Sequence, residues 1–179
     1  KTIMVRGRKV APSQIKWEEH DPKADVVLSV GSGYLPRVWY LFVGSLRKSG
    51  FRGDIVLGVS HQDMQQKEIT EFARKHRVIL YEIHATCADG RDGRKDSCRL
   101  HNFYVPDGSG DSGGQPISNL RYELLSAWSQ VYHKDSIIFN TDFRDVFFQS
   151  HPFPLVRSEL QKESSGGLRH HSSDGTKQI

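Results

Sequence analysis

Sulfur and long apolar runs are what this chain has least of. Its 179 residues include two cysteines and two methionines. No apolar stretch approaches the roughly 20 residues that a membrane-crossing helix needs. The first residues lack the charged-then-apolar build of a signal peptide. Lysines and arginines are scattered, the net charge is only +4, and no dense basic run suggests a nucleic-acid tail or a polybasic membrane patch. Nucleic acid is therefore not an expected partner. The two cysteines, Cys87 and Cys98, fall in one loop and match no zinc spacing. A local disulfide in an oxidising compartment is their expected state. Two free thiols, or a Cys/His metal cluster completed by His84 and His101, are the alternatives. The first residue is lysine, so the chain is expected to be processed or excerpted, with any targeting or anchoring segment lying upstream of Lys1.

The hydrophobic fraction of 36% is low and unevenly spread. Residues 1–23 read as a polar leading segment, 24–157 as a folded domain with a long loop at 84–117, and 158–179 as a polar tail with the composition of a disordered segment. Within the domain, Ala24 to Val30 is a short apolar run between charge and the turn Gly31-Ser32-Gly33, the pattern of a buried parallel strand. Leu35 to Lys48 carries Val38, Leu41, Phe42 and Leu46 at helical spacing and stops at Gly50. Asp54 to Val59 is a second strand, Gln62 to His76 a polar helix, and Val78 to Ile83 a third strand. After the glycine-rich loop, the spacing predicts a helix over Leu120–Tyr132 capped by Ser118, then a strand over Ser136–Asn140. Pro152-Phe153-Pro154 is expected to close the domain. Strand–helix alternation of this kind implies an α/β fold, an open, mainly parallel sheet with helices on both faces.

In such sheets, ligands bind beyond the carboxyl ends of the strands. Two segments satisfy that rule. Gly31-Ser32-Gly33 follows the first strand, where it serves either as a tight turn or as a close approach for a ligand's ring or phosphate. It lacks the third glycine of the dinucleotide fingerprint, and Ser60 and His61 stand where a ribose-binding acid would end the second strand. The other segment runs from Asp142 to Asp145. Its two carboxylates suit a divalent cation with hard oxygen ligands, and Arg144 between them suits either carboxylate or a phosphate. The structural alternative is a turn cap at Asp142 and a solvated Arg144–Asp145 pair. Arg121 stands near a helix start, where the backbone dipole disfavours a cation, which hints at an anionic ligand. The histidines read as structural or solvated.

The segment from Arg121-Tyr122-Glu123-Leu124 through Asp142-Phe143-Arg144-Asp145-Val146-Phe147-Phe148-Gln149-Ser150-His151-Pro152-Phe153 resembles the core of nucleotide-diphospho-sugar transferases with the GT-A fold. Ser45-Leu46-Arg47-Lys48-Ser49-Gly50-Phe51 fits that family's first βαβ unit, and the resemblance runs from Asp25 to Phe153. It implies a Rossmann-like, nucleotide-binding half of a glycosyltransferase, truncated before the acceptor-binding part. Asp142 and Asp145 would stand for the DxD-type motif, one touching the sugar-nucleotide and one holding Mn2+ or Mg2+ on the diphosphate. Their spacing is one residue longer than the commonest Asp-x-Asp. Arg121 would contact the donor's sugar or phosphate, and Gly31, Ser32 and Gly33 would line the base pocket. The implied partners are a nucleotide-sugar donor and a glycan, protein or small-molecule acceptor. The implied location is the secretory pathway, in the Golgi lumen or secreted. Two other readings remain: a degenerate or truncated domain of this fold that binds without catalysis, and a magnesium-dependent phosphate-ester hydrolase. The hydrolase class usually places its nucleophilic carboxylate after the first strand, where this chain has Val30-Gly31-Ser32.

Overall fold

The computed structural model describes residues 3–5, 8–10, 15–88, 97–101 and 115–166. Its centre is a four-stranded, fully parallel sheet of β3 (Val26–Val30), β4 (Asp54–Val59), β5 (Val78–Glu82) and β8 (Ile138–Asn140), in the order β5-β4-β3-β8. Val26, Val27 and Leu28 of β3 lie opposite Asp54, Ile55 and Val56 on one side and Ile138, Phe139 and Asn140 on the other. Both faces of the sheet are covered, which is why β3 to β5 carry near-continuous apolar runs, broken only by Ser29 and by Asp54 and Glu82 at strand ends, instead of alternating.

On one face, Val26, Leu28, Val56, Ile79 and Tyr81 pack against Leu124, Leu125, Ala127 and Trp128 of α5 (Ile117–Ser129). On the other, Val27, Ile55, Leu57 and Leu80 meet Trp39, Phe42, Val43 and Leu46, together with Ile69 and Ala73 of α4 (Lys67–Lys75). Trp39 and Leu46 belong to one continuous helical stretch. It starts at Pro36, a residue suited to the first helical turn, and runs through α1 (Pro36–Trp39), a π-helical turn (Tyr40–Gly44) and α2 (Ser45–Lys48). Burying each of these large side chains contributes roughly 1.5–3 kcal/mol before the ordering entropy is counted.

Several boundaries differ from the sequence expectation. The single helix expected over Gln62–His76 is two, α3 (His61–Gln65) and α4, because Gln66 is extended with ψ 104°. Ser60 and Asp63 form a reciprocal capping box that starts α3. α5 begins at Ile117 after Pro116, not after Ser118. The leading segment is structured where it is described: β1 (Ile3–Val5) and β2 (Arg8–Val10) pair antiparallel, and Ile3 and Ile15 are buried against the α5 face. Within the stretch read as a long loop, β6 (Ala85–Ala88) and β7 (Ser97–Leu100) form an antiparallel ladder tied by a Cys87–Cys98 disulfide. Phe153 opens a helix, α6 (Phe153–Gly166), instead of closing the domain, so the start of the expected polar tail is helical. Its first turn is anchored by Phe153, which is buried beside Phe51. Residues 167–179 lie outside the described residues.

Candidate functional site

The order β5-β4-β3-β8 contains one reversal. From β3 the chain steps outward to β4 and β5, then returns to place β8 on the far side of β3. Connections leaving two adjacent parallel strands in opposite directions leave a crevice at their carboxyl ends. A cleft of about 140 Å³ lies there. It is lined by Ser29 and Val30 from β3, Asn140, Thr141 and Asp142 at the end of β8, and Arg121, Tyr122 and Leu125 from α5.

The walls are fixed by short-range chemistry. Ser29 Oγ donates to the Thr141 carbonyl at 2.6 Å, and Thr141 N donates to the Leu28 carbonyl at 3.2 Å, locking the segment after β8 onto β3. Phe143 then plunges into the core, with ring centroids 4.7 Å from Phe42 and 5.0 Å from Trp39. Its ring also lies where a side chain on Gly31 would be, since a Cβ there would sit 3.2 Å from it. A residue pointing inward between two polar ones leaves Asp142 and Arg144 exposed on either side.

Arg121 reaches across the cleft mouth. Its Nη1 donates to Asp142 Oδ1, and its Nη2 lies 3.1 Å from the Tyr122 hydroxyl. Its guanidinium carbon stands 4.9 Å from the Tyr122 ring centroid. The Tyr122 hydrogen bond and the Asp142 charge hold the guanidinium pKa above its ordinary value, against partial burial. Arg121 Nε is buried and has no hydrogen-bond partner among the described residues, so one donor of the fork is left for a further acceptor.

The expected site residues divide into two sets. Asp142 and Arg121 meet in the cleft. Arg144 and Asp145 pair with each other instead, Nε to Oδ1 at 2.9 Å and Nη2 to Oδ2 at 3.2 Å. That bidentate bond keeps the Asp145 carboxyl below its ordinary pKa, and the pair is the solvated ion pair that the sequence allowed as an alternative. The negative charge of Asp142 also contributes at Arg144, after the Asp145 hydrogen bond and charge. Gly31, Ser32 and Gly33 form the turn after β3. Gly31 N donates to the Gly58 carbonyl at 2.8 Å, and Gly33, at φ +77°, donates to Asp63 Oδ2 at 3.0 Å. The turn therefore has the structural role of joining β3 to the α3 capping box, next to the cleft and outside its lining. Ser29, Tyr122, Asn140 and Thr141 were not picked out as site residues from the sequence, because none carries a charge or belongs to a recognisable spacing.

For a divalent cation the donors are of the right kind, hard carboxylate oxygens, but Asp142 lines the cleft paired with Arg121 while Asp145 lies outside its lining paired with Arg144. Among the described residues, no helix is long and apolar enough to cross a membrane. Compared with protein-family models, curated proteins and solved structures, the chain matches none of them.

Proposed function

We propose that this chain is the donor-binding half of a GT-A-type glycosyltransferase, which moves a sugar from a nucleoside diphosphate to an acceptor hydroxyl. The observation that supports it is the cleft at the reversal between β3 and β8, with Arg121 and Asp142 facing each other across it.

In that reading, the diphosphate lies over the carboxyl ends of β3 and β8. Arg121 turns part of its fork from Asp142 to a phosphate oxygen, and the buried Nε supplies a further donor. Asp142 and Asp145, released from their arginines, would hold Mn2+ or Mg2+. The bound ion would neutralise charge developing on the leaving diphosphate. The bond between the anomeric carbon and the diphosphate oxygen breaks, a bond to the acceptor oxygen forms, and the acceptor's proton passes to a base that these residues do not include. Ser29 and Thr141 keep the cleft floor rigid, and Tyr122 offers an exposed aromatic face to a sugar or base.

A second reading, donor or partner binding without turnover, draws on one observation: both aspartates are already neutralised by arginines. Calorimetric titration of the folded chain with UDP and GDP, with and without Mn2+, tests both. Metal-dependent binding of one nucleotide, lost in the Asp142→Ala/Asp145→Ala double variant, supports the transferase donor site. Metal-independent binding supports the non-catalytic reading, and an absence of binding from a folded chain overturns the donor site altogether.

A further inference from the structure

We propose that His61, Glu82 and His84 form a binding site for a zinc-class divalent transition-metal ion, separate from the cleft at β3 and β8. One ligand atom from each of the three lies within 4.8 Å of the other two. His61 Nδ1 is 2.7 Å from Glu82 Oε1, and His84 Nε2 is 2.6 Å from the same oxygen.

The fold brings them together by register. β4 and β5 run parallel with Val59 opposite Glu82, and Ile83 N donates to the Val59 carbonyl at 2.7 Å. The residue after Val59 is Ser60, the cap of α3, so His61 begins that helix beside the end of β5. Its backbone position is fixed by the capping box, in which Asp63 Oδ2 accepts from Ser60 N at 2.9 Å. Glu82 ends β5, and His84, two residues further on, turns its ring back to the same carboxylate oxygen that His61 reaches. The His84 carbonyl accepts from His101 N at 2.8 Å, holding its backbone at the foot of the β6–β7 hairpin. Cys87 and Cys98 are joined to each other, so no thiolate from this pair belongs to the set.

Two imidazoles and one carboxylate are the donor types of catalytic zinc centres, which keep a fourth position for water or substrate. Nitrogen donors select against Mg2+ and Ca2+, whose sites are built from oxygen. Bonds of about 2.0–2.2 Å around a tetrahedral ion hold ligand atoms roughly 3.3 Å apart. The two histidine–carboxylate contacts therefore open by less than about 1 Å to admit an ion. The histidine side chains are 69% and 49% exposed, so rotamer shifts of that size meet little resistance and the ion has a path in.

The test is a zinc titration of the full chain by calorimetry, followed by cobalt substitution and visible absorption. One saturable ion is expected at this site, with cobalt bands of tetrahedral intensity. His61→Ala, His84→Ala and Glu82→Gln each weaken binding about tenfold or more. His170→Ala/His171→Ala leaves it unchanged. Both His61→Ala and His84→Ala change exposed side chains, and circular dichroism checks that each variant is folded. Saturable zinc binding that survives His61→Ala and His84→Ala, or that vanishes in His170→Ala/His171→Ala, overturns the proposal, as does a folded wild-type chain that takes up no zinc.

Discussion

Arg121 and Asp142 join α5 to the segment after β8 through a single charged hydrogen bond, Nη1 to Oδ1, across the mouth of the cleft. The carboxylate is 58% exposed and the guanidinium 35%, so the pair adds little to folding. Its position makes Arg121 the residue whose loss separates binding from stability.

Arg121→Ala is expected to weaken nucleotide-diphosphate binding by about ten- to a hundredfold, the loss of one charge-assisted hydrogen-bonding group. The melting temperature changes little, because exposed pairs are worth about 0–1 kcal/mol. Arg121→Lys keeps the charge and loses the planar fork, so it restores only part of the affinity. Calorimetry and a thermal melt on the same samples decide the matter. A large loss of stability with unchanged affinity would mean that Arg121 is a structural residue.

His20 predicts an acid-labile fold. Its ring is buried between the Tyr132 and Tyr81 hydroxyls, at 2.7 and 2.8 Å, and burial lowers its pKa from 6.5 to about 4. With a depressed folded-state value, the unfolded chain takes up the proton first. This contribution is complete above pH 6.5 and is lost as pH falls toward 4, at a cost of up to about 3 kcal/mol. Asp54, whose carboxyl is pushed up by burial, acts in the opposite sense. His20→Gln is expected to flatten the acid limb of urea midpoints measured at about pH 7 and about pH 4.5. An unaltered acid limb in the variant would assign the sensitivity to another group.

Gly53→Ala is expected to be among the costliest small substitutions. A Cβ at this position would lie 2.1 Å from the Asp25 carbonyl oxygen, which also accepts from Asp54 N where β3 and β4 begin. The obstacle is backbone, so the strands must separate, with a loss of about 1–3 kcal/mol. Denaturant unfolding measures it. A shift below about 0.5 kcal/mol would show that the strand ends yield easily.

Cys87→Ser/Cys98→Ser removes a bridge that closes 11 residues of chain. Short closures of this kind are worth about 2–3 kcal/mol at most. Faster amide exchange is expected in β6 and β7, with β3, β4 and β5 retaining their protection. Uniform loss of protection across the sheet would mean instead that the hairpin unfolds together with the core.

The central sheet was legible because burial on both faces writes itself into apolar runs such as Val26-Val27-Leu28, and Asp142 could be placed beyond a strand's carboxyl end because it follows the run Ser136–Asn140. What was not legible came from distance. Nothing local in the sequence says that Arg121 meets Asp142 while Arg144 turns to Asp145, since that depends on how α5 crosses β8. The break at Gln66 was hidden by an unbroken polar helical pattern. Nothing local links His61 after the second strand, Glu82 within the third and His84 beside the cysteines, because only the β4–β5 register puts the end of one strand beside the end of the next. The helix that opens at Phe153 was missed because its exposed Leu155, Val156 and Leu160 make no amphipathic stripe to read.

The β3–β8 pairing carries a consequence for how this molecule comes into being. Ser29 and Thr141, which lock the two strands, are 112 residues apart in the chain. A contact of such long range is slow to find, because loop entropy must be surrendered before pairing returns anything. The three strands β3, β4 and β5 can assemble early from neighbouring sequence, but the cleft does not exist until the last strand has docked. The Cys87–Cys98 hairpin takes up slack in the long return path and shortens that search. A nucleotide gripping both walls would then act as a clasp on the final closure, slowing unfolding of the whole sheet and not only of the loops it touches.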